Sequence, residues 1–351
     1  MLKSLILAGM ILTASLAVPI PPARAETAQK VGVSYQPALY WALPFYIADK
    51  KGWWAEIGLD PAYSTFPSGA PQMAAAASGS WDLGGTGSAP AVLGAARFDI
   101  ITIGITNNES ASNVLMARGA DFAAIKANPK SLKGQRLLVT TNSTGEYAAA
   151  ACIKSFGLRY PEDVQVVNLN QPEIISAFAT GTGAIAAVWA PNSYTLESRA
   201  GAKVLCSGQE AGAIVPGALI ARKEYAQAHP DTVAKFLAVY LRGVNYIRHH
   251  KQDAATMMGD FYTHTGTELP AEFLMREIDT RPMFTLSEQM GLLATDKGAS
   301  TADKWFDGLS GYLTSTGTLA KPIAASSYVD PQYMHRVAET PALAAFANRT
   351  D

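Results

Sequence analysis

Charge is scarce in this chain. Only 16% of its 351 residues are Asp, Glu, Lys or Arg, and 28 basic residues face 29 acidic ones for a net charge of −1. That balance offers a nucleic acid no electrostatic handle. Histidine is scarcer: the five residues His229, His249, His250, His264 and His335 all fall late in the chain. No HExxH, GxSxG or CxxC pattern occurs, so the ingredients of a zinc, serine or dithiol enzyme are missing, and neither a catalytic residue, a metal nor a cofactor is expected. The two cysteines, Cys152 and Cys206, have no metal-ligand spacing. In an exported chain they are either bridged or two separate buried thiols, and the sequence leaves both open. Past the N-terminus no apolar run is long enough to span a bilayer.

What is present starts with an export signal. Lys3 supplies a positive start, residues 5–18 an apolar stretch, and Ala23-Arg24-Ala25 a small-x-small cleavage site after Ala25. The mature chain is expected outside the cytoplasm, in the periplasm of a two-membrane bacterium. With 48% hydrophobic residues it can bury large cores, and its length favours two domains over one.

The most informative stretch is Gly79-Ser80-Trp81-Asp82-Leu83-Gly84-Gly85-Thr86-Gly87-Ser88-Ala89-Pro90. It reads as a short strand (81–83), a glycine turn and a helix start, with Thr86 and Ser88 hydroxyls and bare amides open to an acceptor-rich small molecule. A plain β–α turn that needs glycine for positive φ is the competing reading. A similar design recurs at Thr140-Thr141-Asn142-Ser143-Thr144-Gly145-Glu146-Tyr147. In order, strands at 30–35, 61–66 and 100–105 alternate with helices at 42–51, 70–78 and 89–97. A second winding follows, with strands at 113–118, 137–140, 164–169 and 183–188 and helices at 146–156 and 172–180. After a returning strand at 218–222 the chain is helical, at 229–250, 252–261, 270–278, 286–293 and 302–315. From 319 onward it reads as irregular. These observations give an α/β class with two mostly parallel sheets wrapped by helices.

Five stretches in order carry a family resemblance. Tyr46-Ile47-Ala48-Asp49-Lys50-Lys51-Gly52-Trp53-Trp54-Ala55-Glu56-Ile57-Gly58-Leu59-Asp60 resembles the A-x-K-x-G-F-F-x-x-x-G-L-D signature of ABC-importer solute-binding proteins for nitrate, taurine and aliphatic sulfonates. Gly79 to Gly84 is similar to their G-x-x-D-x-G. Ser131-Leu132-Lys133-Gly134-Gln135 resembles D-L-K-G-K, Ser143 to Tyr147 their ligand-facing helix start, and Trp189-Ala190-Pro191 their W-x-P. The chain departs from the pattern at Ala186 and Ala190, where an acid is frequent, and at Glu146.

The resemblance implies a type II-like periplasmic-binding-protein fold. Residues 26–117 and 222–351 would form one lobe, its helical C-terminal part packed on the first winding, and 118–221 the other. Two crossings would join them around a solute-binding gap. The first lobe would offer Tyr35, Gln36, Tyr40, Thr86, Gly87, Ser88 and Asn107, and the second Ser143, Thr144, Gly145, Trp189 and Asn192. Trp41, Glu109 and Glu146 are further candidates. If either acid faces the gap, an amine-bearing solute or a zwitterion such as taurine is favoured over a simple anion. The partners implied are a small solute and a membrane ABC permease, with the protein itself a monomer. A pyrimidine solute, as in a related branch that handles thiamine precursors, and a sensor role at a membrane receptor stay open. An exported enzyme is the weakest alternative.

Overall fold

Val31 and Val33 are buried within the first strand, and Gly32 lets its backbone lie against Asp82, whose carboxylate accepts from the Gly32 amide at 2.8 Å. From this seed the computed structural model describes residues 28–281, 283–295 and 298–351. The expected signal segment and its cleavage site at Ala25 lie outside the described residues. The chain runs β1 (Gln29–Tyr35), α1 (Leu39–Lys51), α2 (Trp53–Glu56), β2 (Leu59–Thr65), α3 (Gly69–Ala76), β3 (Leu83–Gly87), α4 (Ser88–Arg97) and β4 (Ile100–Asn108). It continues with β5 (Asn113–Ala117), α5 (Gly119–Ala127), β6 (Arg136–Val139), α6 (Thr144–Ser155), β7 (Gln165–Asn168), α7 (Gln171–Ala179), β8 (Ile185–Trp189), α8 (Asn192–Ala200) and β9 (Lys203–Ser207). After β10 (Pro216–Arg222) come α9 (Lys223–Ala228), α10 (Pro230–His249), α11 (Lys251–His264), α12 (Ala271–Thr280), α13 (Leu286–Leu293), α14 (Thr301–Ser315), α15 (Gln332–Glu339) and α16 (Pro341–Ala347).

The strands form two five-stranded sheets, ordered β2-β1-β3-β10-β4 and β7-β6-β8-β5-β9. In each, one strand is reversed. β10 lies antiparallel between β3 and β4, and β5 antiparallel between β8 and β9, while β1–β2, β1–β3, β6–β7 and β6–β8 are parallel. The reversed strand is the one that has just arrived from the other sheet. Each sheet has its own apolar core. One large cluster unites the first sheet with α1, α4 and α10, and two smaller clusters cover the faces of the second.

Several elements differ from the sequence reading, each for a physical reason. The glycine stretch is not a turn: Gly84, Gly85 and Gly87 are residues of β3 with ordinary φ. Glycine is needed at 84 and 85 because a Cβ there would collide with Ser34 of β1 and with Trp41 of α1. Residues 119–127 form a helix whose nearly all-round exposure leaves little periodicity to read. The stretch after 319 contains two α-helices and a short 3-10 turn, because Pro331 and Pro341 sit at helix starts, where a missing amide costs nothing.

Cys152 of α6 and Cys206 of β9 form a disulfide with Cα atoms 5.9 Å apart. Among the described residues no helix is long and apolar enough to cross a membrane.

Candidate functional site

Only some helices here close their own N-termini with side chains. Thr285 and Glu288 form a capping box on α13, and Ser300 and Asp303 one on α14. α4 is different. Its N-cap is Gly87, which has no side chain to offer, and the Ser88 hydroxyl beside it is fully buried without a hydrogen-bond partner. Opposite stands the start of α6, capped by Ser143, whose hydroxyl accepts from the Glu146 amide at 3.2 Å and donates to the Thr140 carbonyl at 2.6 Å. A Cβ on Gly87 would lie 2.9 Å from Thr144 Cγ2, so the two helix starts, one from each sheet, abut. Each start carries partial positive charge, so their meeting is unfavourable unless something negative lies between them.

Gly217 of β10 is paired directly opposite Gly87, and residues opposed in this way share a face of the sheet. A Cβ at Gly217 would strike Thr106 Oγ1 and lie 3.0 Å from Asn107 Oδ1 and 3.2 Å from Glu109 Oε1. The two glycines thus make a bare patch ringed by polar atoms. Thr106 Oγ1 donates to Asn107 Oδ1 at 3.1 Å, while Asn107 Nδ2 is buried without a partner. Asn113 Nδ2 donates to Glu109 Oε2 at 3.1 Å. On the side of β1, Gln36 Nε2 donates to Thr86 Oγ1 at 3.2 Å and to Gln72 Oε1, and Gln72 Nε2 donates to Ser34 Oγ at 2.9 Å. This network fixes the Thr86 hydroxyl.

The residues singled out in the sequence divide accordingly. Gln36, Thr86, Gly87, Ser88, Asn107 and Glu109 gather at the carboxyl ends of the first sheet. Ser143, Thr144, Gly145 and Trp189 gather on the second side, where a Cβ on Gly145 would come within 3.0 Å of Trp189 Cε3. Asn192 opens α8, half-buried. Tyr35 turns toward the β2 edge, its ring 5.7 Å from Tyr63 and 6.2 Å from Phe261; burial pushes its hydroxyl up to about 12. Trp41 is a core residue of α1 whose Nε1 donates to the Gln36 carbonyl at 2.5 Å. Tyr40 lies on the first turn of α1, and its side chain is outside the described ones. The Glu146 carboxylate turns back onto the Asn142 amide at 2.6 Å and the Tyr160 hydroxyl at 2.5 Å.

Other residues near the site escaped the sequence reading. Gly217 and Asn113 reach it only through strand order. Glu277 and Arg281, one helical turn apart and ion-paired at 2.8 Å, are both buried; Glu277 also accepts from Tyr262 Oη at 2.9 Å and from the Leu39 amide at the start of α1. Burial raises the Glu277 carboxyl and Arg281 opposes the shift. Acid and base at i,i+4 is a common surface pattern, so the sequence held no sign of this burial.

Two contacts flank the facing helix starts. Tyr194 of α8 stacks on Phe273 of α12 with centroids 5.3 Å apart, and the Arg276 guanidinium lies 4.6 Å from each ring centroid and donates to both Glu197 oxygens at 3.2 and 2.7 Å. On another side Ser68 Oγ meets Asn170 Oδ1 at 3.2 Å. Behind the site the two connections between sheets run side by side. Glu109 N donates to Val215 O at 2.7 Å, Val215 N to Ser110 Oγ at 2.9 Å, and Gln209 N to Ser110 O at 3.0 Å. Among the described residues no group of three or more His, Cys, Asp or Glu is placed to hold a metal ion.

Comparison with known proteins adds five findings. A family model described as NMT1/THI5 like matches residues 41–254. A putative aliphatic sulfonates-binding protein of Bacillus subtilis is 28% identical over 62% of this chain and 66% of its own length. The taurine-binding periplasmic protein of Escherichia coli is 32% identical over 60% of this chain and 63% of its own. The matches therefore span just under two thirds of both relatives. Among solved structures, the alkanesulfonate-binding protein of Xanthomonas axonopodis pv. citri, bound to MOPS, superposes with a TM-score of 0.72 at 19% identity, covering 88% of this chain and 99% of that one. The periplasmic nitrate-binding protein of Synechocystis gives 0.68 at 12% identity, covering 93% of each. At such identities these likenesses establish the fold, that of two-lobed periplasmic binding proteins.

Proposed function

The chain belongs to the NMT1/THI5-like family, and on that footing we propose that it is an extracytoplasmic solute-binding protein of an ABC importer. In this reading residues 26–117 and 222–351 form one lobe and 118–221 the other, with a small organic sulfonate or similar oxyanion held between them. No chemical step is assigned to it. The observation that carries the reading is the meeting of two helix N-termini from different lobes, with the buried Ser88 hydroxyl beside them lacking a partner. Amides and hydroxyls so arranged suit an anion's oxygens. Because the anion touches both starts at once, binding and lobe closure are coupled. The signal-like residues 1–25 and the periplasmic relative support placement outside the cytoplasm, where a membrane permease would receive the solute.

A second, narrower reading is favoured by Glu109. Its carboxylate borders the Gly87–Gly217 patch, where it can meet an ammonium group, so an aminosulfonate such as taurine would satisfy both ends of the site. Calorimetry on ligand-free protein with taurine, ethanesulfonate, nitrate and sulfate tests both readings. Binding of a sulfonate is expected, and no heat from any of them would reject the oxyanion site. Glu109→Gln should weaken taurine by roughly ten-fold and leave ethanesulfonate unchanged; equal effects on both would reject the amine reading alone.

A further inference from the structure

α6 begins at the candidate site and runs outward, and along its outer stripe lies a groove of about 810 Å³. Ala150 and Ala151 of α6 form a floor without bulk, continued by residues 211–213. Tyr147, Tyr160 and Tyr312 of α14, which packs on the first sheet, close one end, with the Tyr147 and Tyr312 rings in contact at a centroid separation of 4.8 Å. Lys154 lies on the same stripe two helical turns beyond Tyr147, about 10 Å along the axis. It is exposed, and among the described residues no carboxylate lies within ion-pair distance of it. Arg159 on the rim is held by Asp163, whose carboxylate accepts from its amide at 2.9 Å and its guanidinium at 3.3 Å, and neighbouring Glu162 offsets its charge further.

We propose that this groove is a second small-molecule site, taking a flat aromatic carboxylate. An alanine floor admits a ring face against the helix, three tyrosine rings supply edges and faces at one end, and an uncommitted ammonium receives the carboxylate at the other. The groove is lined by none of Gly87, Ser88, Ser143, Thr144 or Gly145. Its walls come from both sheets' bodies, so an occupant favours the arrangement in which the two are together.

The test titrates 2-naphthoate into the full mature chain, read by calorimetry and ligand-observed NMR. One saturable site is expected, weakened roughly three- to five-fold by Lys154→Ala, lost in Ala151→Phe and unchanged in Ser88→Ala. Absence of saturable binding overturns the proposal, as does binding that Lys154→Ala and Ala151→Phe both leave unchanged. Loss of binding in Ser88→Ala overturns it too, because the probe would then occupy the gap between the helix starts. If thermal unfolding shows Ala151→Phe to be misfolded, the exposed Lys154→Ala substitution decides alone.

Discussion

Ser88 shows how a single hydroxyl reports on what the site needs. Buried without a partner, it costs on the order of 1–3 kcal/mol unless a ligand atom satisfies it. Ser88→Ala should therefore leave thermal stability unchanged or slightly raised while weakening solute binding by about five-fold or more; unchanged affinity would remove Ser88 from the site. Gly87 makes a steric prediction. Gly87→Ala puts a methyl group 2.9 Å from Thr144 Cγ2, so the lobes cannot approach fully and affinity should fall at least ten-fold. Thr144→Ser deletes that Cγ2 but keeps the hydroxyl, and in the double variant it should recover part of the loss. No recovery, measured by the same titration, would mean that the contact is not what limits binding. The sequence singles these residues out as candidates by their glycines and hydroxyls, and the fold brings them together at the two helix starts. Trp41 was not: an aromatic after a strand looks the same whether its ring faces a solute or packs under Gly85. Only the fold sets Glu109 beside Gly217, because no local pattern links residues 108 positions apart.

At the scale of elements, strands and long helices declare themselves by period. α10 and α14 run within a residue or two of where apolar spacing predicts them. Short elements with little burial, such as α5, give no such period. The prolines at 331 and 341 read as breaks although they begin helices, because proline at a helix start and proline in a loop look alike in one sequence. The reversal of β10 and β5 within otherwise parallel sheets was also hidden, since strand direction follows from connectivity across the whole molecule. One element-level prediction concerns the second sheet. The disulfide joins α6 to β9 across 54 residues of chain. Replacing both Cys152 and Cys206 by Ala should lower unfolding stability by roughly 2–4 kcal/mol, chiefly by freeing the unfolded chain. Chemical denaturation of the variant, with native-like circular dichroism required first, checks this; an unchanged midpoint would show that the crosslink constrains little.

For the whole molecule, the double winding was legible from the order of strands and helices, and the flanking contacts were not. Arg276, Glu197, Tyr194 and Phe273 lie on two separate helices and carry no motif, yet they tie α8 to α12. On the proposed lobe division such contacts exist only while the lobes are together, so they would stabilise the closed form without touching the solute. Arg276→Ala should raise the solute dissociation rate two- to five-fold with little change in the association rate, as suits a half-exposed pair worth about 0.5–1 kcal/mol. Stopped-flow measurement separates the two rates, and a change confined to association would contradict the assignment. The paired connectors behind the site have a mechanical outcome of their own. Two ribbons free of each other could twist as well as bend, but Glu109, Ser110, Gln209 and Val215 stitch them edge to edge. Such a seam yields along one axis, as a book opens from its spine. On the proposed function the gap would widen in proportion to distance from that spine, and a solute would enter from the far edge, meeting the facing helix starts before Glu109.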